Sequence, residues 1–203
     1  MPTRAVSFSQ GEFYHIYNRG NNKEPIFFER ENYNYFLRKF LKYFTPDVAD
    51  VCAFCLMPNH YHFLLHLTAG CDYSTRMQYF GIAYVKAVNK LYSRVGHLFQ
   101  GRFKAKPVDS DEYLVDLSRY IHLNPLFARL VSRAEDWEFS SYRAYLDGGF
   151  KNSPDGSNAS ANGDLTVNAS FVLSYFSGAE EYRSFVESYA IDRLKQMEEE
   201  LWR

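Results

Sequence analysis

The stretch Val51-Cys52-Ala53-Phe54-Cys55-Leu56-Met57-Pro58-Asn59-His60-Tyr61-His62-Phe63-Leu64-Leu65-His66-Leu67 decides the fold. It holds two short apolar runs separated only by Pro58-Asn59, a pair suited to a tight connection, and so predicts an antiparallel hairpin. Side chains alternate along a strand, which puts Tyr61, Phe63, Leu65 and Leu67 on one face and His60, His62, Leu64 and His66 on the other. The first face is fit to meet a helical layer, and the histidines point away from that core.

Upstream, Phe13 to Asn18 reads as a strand followed by a Gly20-Asn21-Asn22 turn. From Glu31 to Phe44 the residues Tyr33, Phe36, Leu37, Phe40, Leu41 and Phe44 form one helical stripe, closed by Pro46 and Asp47. Downstream, a second helix is predicted from about Ser74 to Arg94, and Arg102 to Val108 alternates like a strand. A third helix starts near Ser110, an N-cap followed by acids. It is expected to stop near Asn124, because Pro125 disfavours helix in the residue before it.

Strand, helix, strand, strand, helix, strand is the order of a split βαβ, ferredoxin-like antiparallel sheet with helices on one face. The expected class is α+β, with a third helix added. Residues 1–146 are expected to form the main domain and 147–170, rich in Gly, Ser and Asn and holding Pro154, a flexible loop. Residues 171–203 read as a C-terminal helical extension of the same domain, marked by Phe185, Val186, Tyr189, Leu194, Met197 and Leu201.

With 203 residues and 46% hydrophobic content, the chain can bury its own core. No apolar run approaches bilayer length, and Met1-Pro2-Thr3-Arg4 lacks the apolar segment of a secretory signal, so a cytoplasmic location is expected. Three cysteines are an odd number for a disulfide framework. Strand alternation would send Cys52 and Cys55 to opposite faces, which argues against zinc there.

The net charge of −1 hides an uneven distribution. Residues 81–108 contain no Asp or Glu but hold Lys86, Lys90, Arg94, Arg102, Lys104 and Lys106 as well as His97. Lys86, Lys90 and Arg94 recur every fourth position and would form a ridge on the second helix. Arg102, Lys104 and Lys106 would share one strand face. Both rows suit a sugar-phosphate backbone, and both also fit solvated faces.

His60 and His62, two apart on a strand, project side by side and begin a divalent-metal site. Tyr120 and Asn124 are four apart, so on a helix they differ by only about 40° around the axis and share a face. His122 lies about 200° from Tyr120 and is excluded as a ligand on that ground. A tyrosine oxygen can form a covalent intermediate, and attack on a phosphodiester needs a cation to offset developing charge. His60, His62 and Asn124 could hold that cation while leaving positions open for phosphate oxygens and water. By spacing alone Tyr120 fits a core tyrosine as well, since the chain has 17. A hydrolase acting on a small phosphoester would use the same histidines, without need of Tyr120 or the basic stretch.

Several motifs carry a resemblance. Leu56-Met57-Pro58-Asn59-His60-Tyr61-His62 resembles the His-hydrophobic-His (HUH) motif of single-strand tyrosine transposases. Gly96-His97-Leu98-Phe99-Gln100-Gly101-Arg102-Phe103-Lys104, Arg119-Tyr120-Ile121-His122-Leu123-Asn124-Pro125 and Ser140-Ser141-Tyr142-Arg143 are similar to further motifs of the REP-associated branch. The resemblance spans roughly residues 13–146 and implies a nuclease domain there. It implies that His60 and His62 bind Mg²⁺ or Mn²⁺ with Asn124 as third ligand, and that Tyr120 is the nucleophile of a 5′-phosphotyrosine intermediate on single-stranded, hairpin-forming DNA. Arg19 and Gln100 join the two basic rows as expected DNA contacts, and the oligomeric state is monomer or homodimer. A relative that only binds or processes chromosomal repeats, without mobility, is the alternative.

Overall fold

The structure is a computed structural model that describes residues 6–147 and 165–189. The expected hairpin forms as β2 (Ala49–Met57) and β3 (His60–Leu67), with Leu56 opposite Tyr61 and Cys55 opposite His62. On its other side β3 pairs with β1 (Phe13–Arg19), and β1 pairs with β4 (Lys104–Val108). All pairings are antiparallel and the order is β2-β3-β1-β4, so the ferredoxin-like sheet read from the element order is the one observed.

Helices α1 (Arg30–Tyr43) and α2 (Tyr73–Leu91) cover the face that carries Tyr61 and Phe63. The seam is aromatic: Phe40 stacks on Phe63 at 4.3 Å between centroids, and Phe36 meets Tyr61 at 5.0 Å and Phe80 at 4.8 Å. These rings are almost fully buried, each contributing about 1.5–3 kcal/mol from area alone. Both helices are capped by side chains: Glu29 and Asn32 form a capping box on α1, and Asp72 accepts from Thr75 N on α2. The second helix ends at Leu91, earlier than its expected limit at Arg94. Tyr92 caps it, and Ser93 turns into the left-handed region at φ 51°, so Arg94 leaves the ridge shared by Lys86 and Lys90.

Helix α3 (Asp111–Phe127) lies on the opposite face, against β2, β3 and β4. Its expected stop at Asn124 is corrected: the helix runs through Pro125 to Phe127, most of one further turn. A proline near a C-terminus removes a single ladder donor, and the turn beyond it closes through Ala128 N to Asn124 O and Leu130 N to Pro125 O, both 3.0 Å. Residues 139–141 then run along the outer edge of β2, where Leu56 N donates to Phe139 O and Ser141 N to Phe54 O. Short helices α4 (Tyr142–Leu146) and α5 (Ser170–Leu173) precede α6 (Ala179–Glu187), which packs on α3 and α4.

Among the described residues the free edge of the sheet is β4, where Lys104, Lys106 and Pro107 discourage further strand pairing. Residues 148–164 of the expected loop lie outside the described residues, as do Leu194, Met197 and Leu201 of the expected C-terminal helix. Among the described residues no helix is long and apolar enough to cross a membrane.

Candidate active site

The sheet face left by α1 and α2 carries, on adjacent strands, Phe13, His15, Tyr17 and Arg19 of β1 and His60, His62, Leu64 and His66 of β3. Tyr17 stands directly opposite His62, and Arg19 opposite His60. Helix α3 lies over this face, so the histidine side of the hairpin, which alternation left free of the first core, is itself covered: His62 is fully buried. Tyr120 is also buried, and its ring meets His62 edge-on at 5.4 Å. One turn on, Asn124 faces His60, with Oδ1 3.5 Å from Nε2. The structure therefore brings Tyr120, Asn124, His60 and His62 together. His122 points the other way, into a buried cluster with Tyr182 and Ser141.

The protons at this site can be assigned from the hydrogen bonds. Burial, with Arg19 adding to it and Asn124 opposing it, lowers the His60 pKa to about 4. Burial likewise holds His62 well below the usual histidine value, helped by His15, His60 and Arg19. Both imidazoles are thus neutral near pH 7, with one N–H and one lone pair each. In His60 the proton belongs on Nδ1, which lies 2.6 Å from Asn59 Oδ1 while the Asn59 amide nitrogen donates to Lys23 O at 2.8 Å. Its Nε2 then presents a lone pair toward Asn124.

Asn124 is oriented as well, since its Nδ2 donates to Tyr120 O at 2.8 Å. Its oxygen is therefore the atom that faces His60. Two acceptors confront each other across 3.5 Å, an arrangement that a cation between them relieves. Ligands about 2.1 Å from one Mg²⁺, in adjacent octahedral positions, stand about 3 Å apart. The donor set of two neutral imidazoles and one amide oxygen fits a divalent ion with open positions. Among the described residues no three His, Cys, Asp or Glu side chains converge on one point, so an ion held here would depend on Asn124.

The basic residues divide into two groups. Lys104 and Lys106 stand opposite Tyr17 and His15 on the site face, with their ammonium groups 6.0 Å from the Tyr17 ring centroid and 5.0 Å from that of Tyr113. Two strand spacings of about 4.8 Å put Lys104 about 10 Å from His62. Arg19 flanks His60, and the loop after α2 docks on the same strand end: Gln100 N donates to Arg19 O at 3.0 Å, and Asn18 Nδ2 to Gly101 O at 3.1 Å. Arg102 is exposed just before β4 rather than within it. Lys86 and Lys90 are exposed on α2, in the layer across the sheet, and Arg94 lies over the Phe28 ring at 5.3 Å.

Nothing in the sequence singles out His15 and Tyr17. Their rings stack on each other at 4.6 Å, and both lie against His62. Period-two alternation places them on one face of β1 with Arg19, but only the β1–β3 register puts that face beside the hairpin histidines.

Residues 10–124 match the sequence profile of a family described as IS200-like transposases. No curated protein matches the chain. Among solved structures, it is similar to a REP-associated tyrosine transposase bound to a REP hairpin, with TM-score 0.61 and 18% identity over 72% of this chain and 86% of that one. At that identity the likeness speaks for the fold. It is also similar to a candidate transposase from Deinococcus radiodurans R1, with TM-score 0.41 and 15% identity over 60% of this chain and 95% of that one.

Proposed function

The chain belongs to the IS200-like transposase family, a family of DNA transposases, and on that premise we propose that it cuts and rejoins single-stranded DNA with Tyr120 as nucleophile. His60, His62 and Asn124 hold the divalent metal, Mg²⁺ or Mn²⁺. The observation that carries this reading is the pair of oriented acceptors, His60 Nε2 and Asn124 Oδ1, facing each other one helical turn from Tyr120. A structural histidine of the core would instead be expected to meet a donor there.

The bound metal would act as a Lewis acid on the scissile phosphate. The rest falls to this chain's own residues. The Tyr120 phenol loses its proton and its oxygen bonds to phosphorus, giving a 5′-phosphotyrosine, while the bond to the 3′ oxygen breaks and that oxygen leaves as a hydroxyl. Rejoining is the reverse attack by a 3′-hydroxyl. Helix α3 and the sheet keep bulk water from the histidines. Arg19, Lys104 and Lys106 supply positive charge on the same face, where a phosphate chain can track toward the site, and Gln100 and Arg102 flank it. The similar REP-associated protein was solved on a REP hairpin, which supports hairpin-forming DNA as the substrate. In this reading residues 1–146 serve as the nuclease domain, with α5 and α6 as an extension packed against α3.

The test is incubation of the protein with end-labelled hairpin DNA and Mn²⁺, followed by a denaturing gel. A DNA band covalently linked to protein is expected from wild type. It is lost in Tyr120→Phe, whose DNA affinity should stay close to wild type because only one oxygen is removed. Full cleavage by the Phe variant would take Tyr120 out of the mechanism, and unchanged cleavage in excess chelator would take out the metal.

A further inference from the structure

We infer that His15 is a positioning residue that accepts the Nδ1–H of His62 when His62 is in the tautomer able to bind a metal. This role rests on the proposed metal site and adds to it a residue that never touches the ion.

His15 sits on β1, diagonal to His62 across the β1–β3 pair, and its Nε2 lies 2.9 Å from His62 Nδ1. Both side chains are fully buried. A hydrogen bond between two neutral imidazoles needs one N–H and one lone pair, so it can run in only two directions. If His15 Nε2–H donates, His62 must carry its own proton on Nε2, and that nitrogen is closed to a cation. If His62 Nδ1–H donates, its Nε2 offers a lone pair toward the side of His60 and Tyr120. Only the second direction is compatible with metal binding through Nε2. In that direction His15 must be the acceptor, with its single proton on Nδ1.

The acceptor is of an unusual kind. Metal-bound histidines commonly give their second N–H to a carboxylate, a backbone carbonyl or water, which fixes the ring and raises its basicity. Here the surroundings offer another imidazole, itself held by stacking on Tyr17 at 4.6 Å. His15 Nδ1 has no hydrogen-bond partner among the described residues, so neither direction of the bond is dictated from the far side of His15. Occupancy of the metal position is then what selects the direction, and removing the acceptor should weaken the metal.

The experiment is titration of the full chain, without DNA, with Mn²⁺ by calorimetry or by electron paramagnetic resonance. His15→Leu should weaken binding about 10- to 100-fold, the range seen for lost outer hydrogen-bond partners of metal ligands. His15→Gln keeps an oxygen acceptor at similar reach and should stay within about threefold of wild type by the same reasoning. Equal loss in both variants would make the residue a matter of packing and overturn the inference, as would no loss in His15→Leu. His60→Ala separates the two levels: if it binds Mn²⁺ as wild type does, the metal site itself is wrong, whereas if it binds weakly and both His15 variants bind normally, only the role of His15 falls. Should His15→Leu fail to fold, ¹⁵N spectra of wild-type histidines with Mg²⁺ decide the matter. A protonated His62 Nδ1 and an unprotonated His15 Nε2 are expected, and the reverse pattern overturns the inference.

Discussion

Gly20 follows β1 at the point where the chain turns under the site, and a Cβ there would lie 1.9 Å from the Glu24 carbonyl oxygen. Its φ is −60°, open to any residue, so glycine is required by close approach rather than by backbone conformation. The same turn joins the hairpin and the loop after α2, with Gly20 N donating to Asn59 O at 2.7 Å and Asn21 N to Leu98 O at 2.9 Å. Gly20→Ala must displace backbone, and we expect a loss of about 1–3 kcal/mol in urea denaturation. A change under about 0.5 kcal/mol, the usual scale of a neutral surface substitution, would show that the turn yields freely. The Gly20-Asn21-Asn22 sequence announced a turn but not this reason for it, because the obstructing carbonyl is brought back by the 3₁₀ turn that follows. Helical spacing shows that Tyr120 and Asn124 share a face, while their place in the site rests on the motif resemblance. His15 was not legible, since nothing local distinguishes a strand histidine that meets a metal ligand from one that meets a phenylalanine.

Helix α3 is fixed on its far side by a buried chain of hydrogen bonds. Ser118 Oγ donates to Val115 O at 2.7 Å, so Tyr182 Oη, 2.9 Å away, donates to Ser118 and accepts from His122 Nδ1–H at 2.8 Å. Ser141 Oγ accepts from Phe54 N at 2.9 Å and lies 3.2 Å from Phe54 O and 2.8 Å from His122 Nε2, to which it donates when His122 is neutral. Arg119 adds a second tie, its guanidinium 3.9 Å from the Phe185 ring centroid and 3.5 Å from that of Tyr189. Thus the Ser140-Ser141 motif and α6 set the pose of the helix whose opposite face carries Tyr120. A neutral His122 fits these bonds, and burial lowers its pKa to about 3 from 6.5. The sign follows from linkage: the unfolded chain takes up this proton below pH 6.5 and the folded one does not until about pH 3. Stability from this group is complete above 6.5 and falls toward pH 3, at up to about 1.4 kcal/mol per pH unit. His15, with a pKa lowered to about 3, and His60 add to the same slope. In His122→Gln we expect the slope of unfolding free energy between pH 6 and pH 4.5 to drop by about one proton's worth. An unchanged slope would mean that His122 is protonated in the folded protein. Helix spacing correctly turned His122 away from Tyr120, whereas the partners it meets there come from Tyr182 and Ser141, which no local pattern links to it.

Across the whole molecule the sheet separates two basic surfaces. Lys104 and Lys106 share a face with Tyr17, His15 and the hairpin histidines, whereas Lys86 and Lys90 stand on α2 in the other layer. On the proposed function, a strand of DNA entering the site would run past the first pair. We therefore expect a Lys104→Ala, Lys106→Ala double variant to bind hairpin DNA more weakly and to lower the log–log salt slope by about two, one for each phosphate no longer neutralised. A Lys86→Ala, Lys90→Ala variant should change the slope less. The opposite ranking, measured by anisotropy across a salt series, would move the DNA track to α2. Sequence alone determined the β2–β3 hairpin, the histidine face of β3, the stripe of α1, the pairing of Tyr120 with Asn124 and the order of elements that makes the sheet ferredoxin-like. Each of these follows from periodicities of two or 3.6 residues that a local chain must obey. Only the tertiary structure decided that α3 covers the histidine face, that His15 meets His62, that Arg94 leaves the α2 ridge and that the two lysine pairs lie in different layers. Those outcomes depend on strand register, helix ends and packing between residues far apart in the chain, where the energy of contact, not local propensity, selects the arrangement.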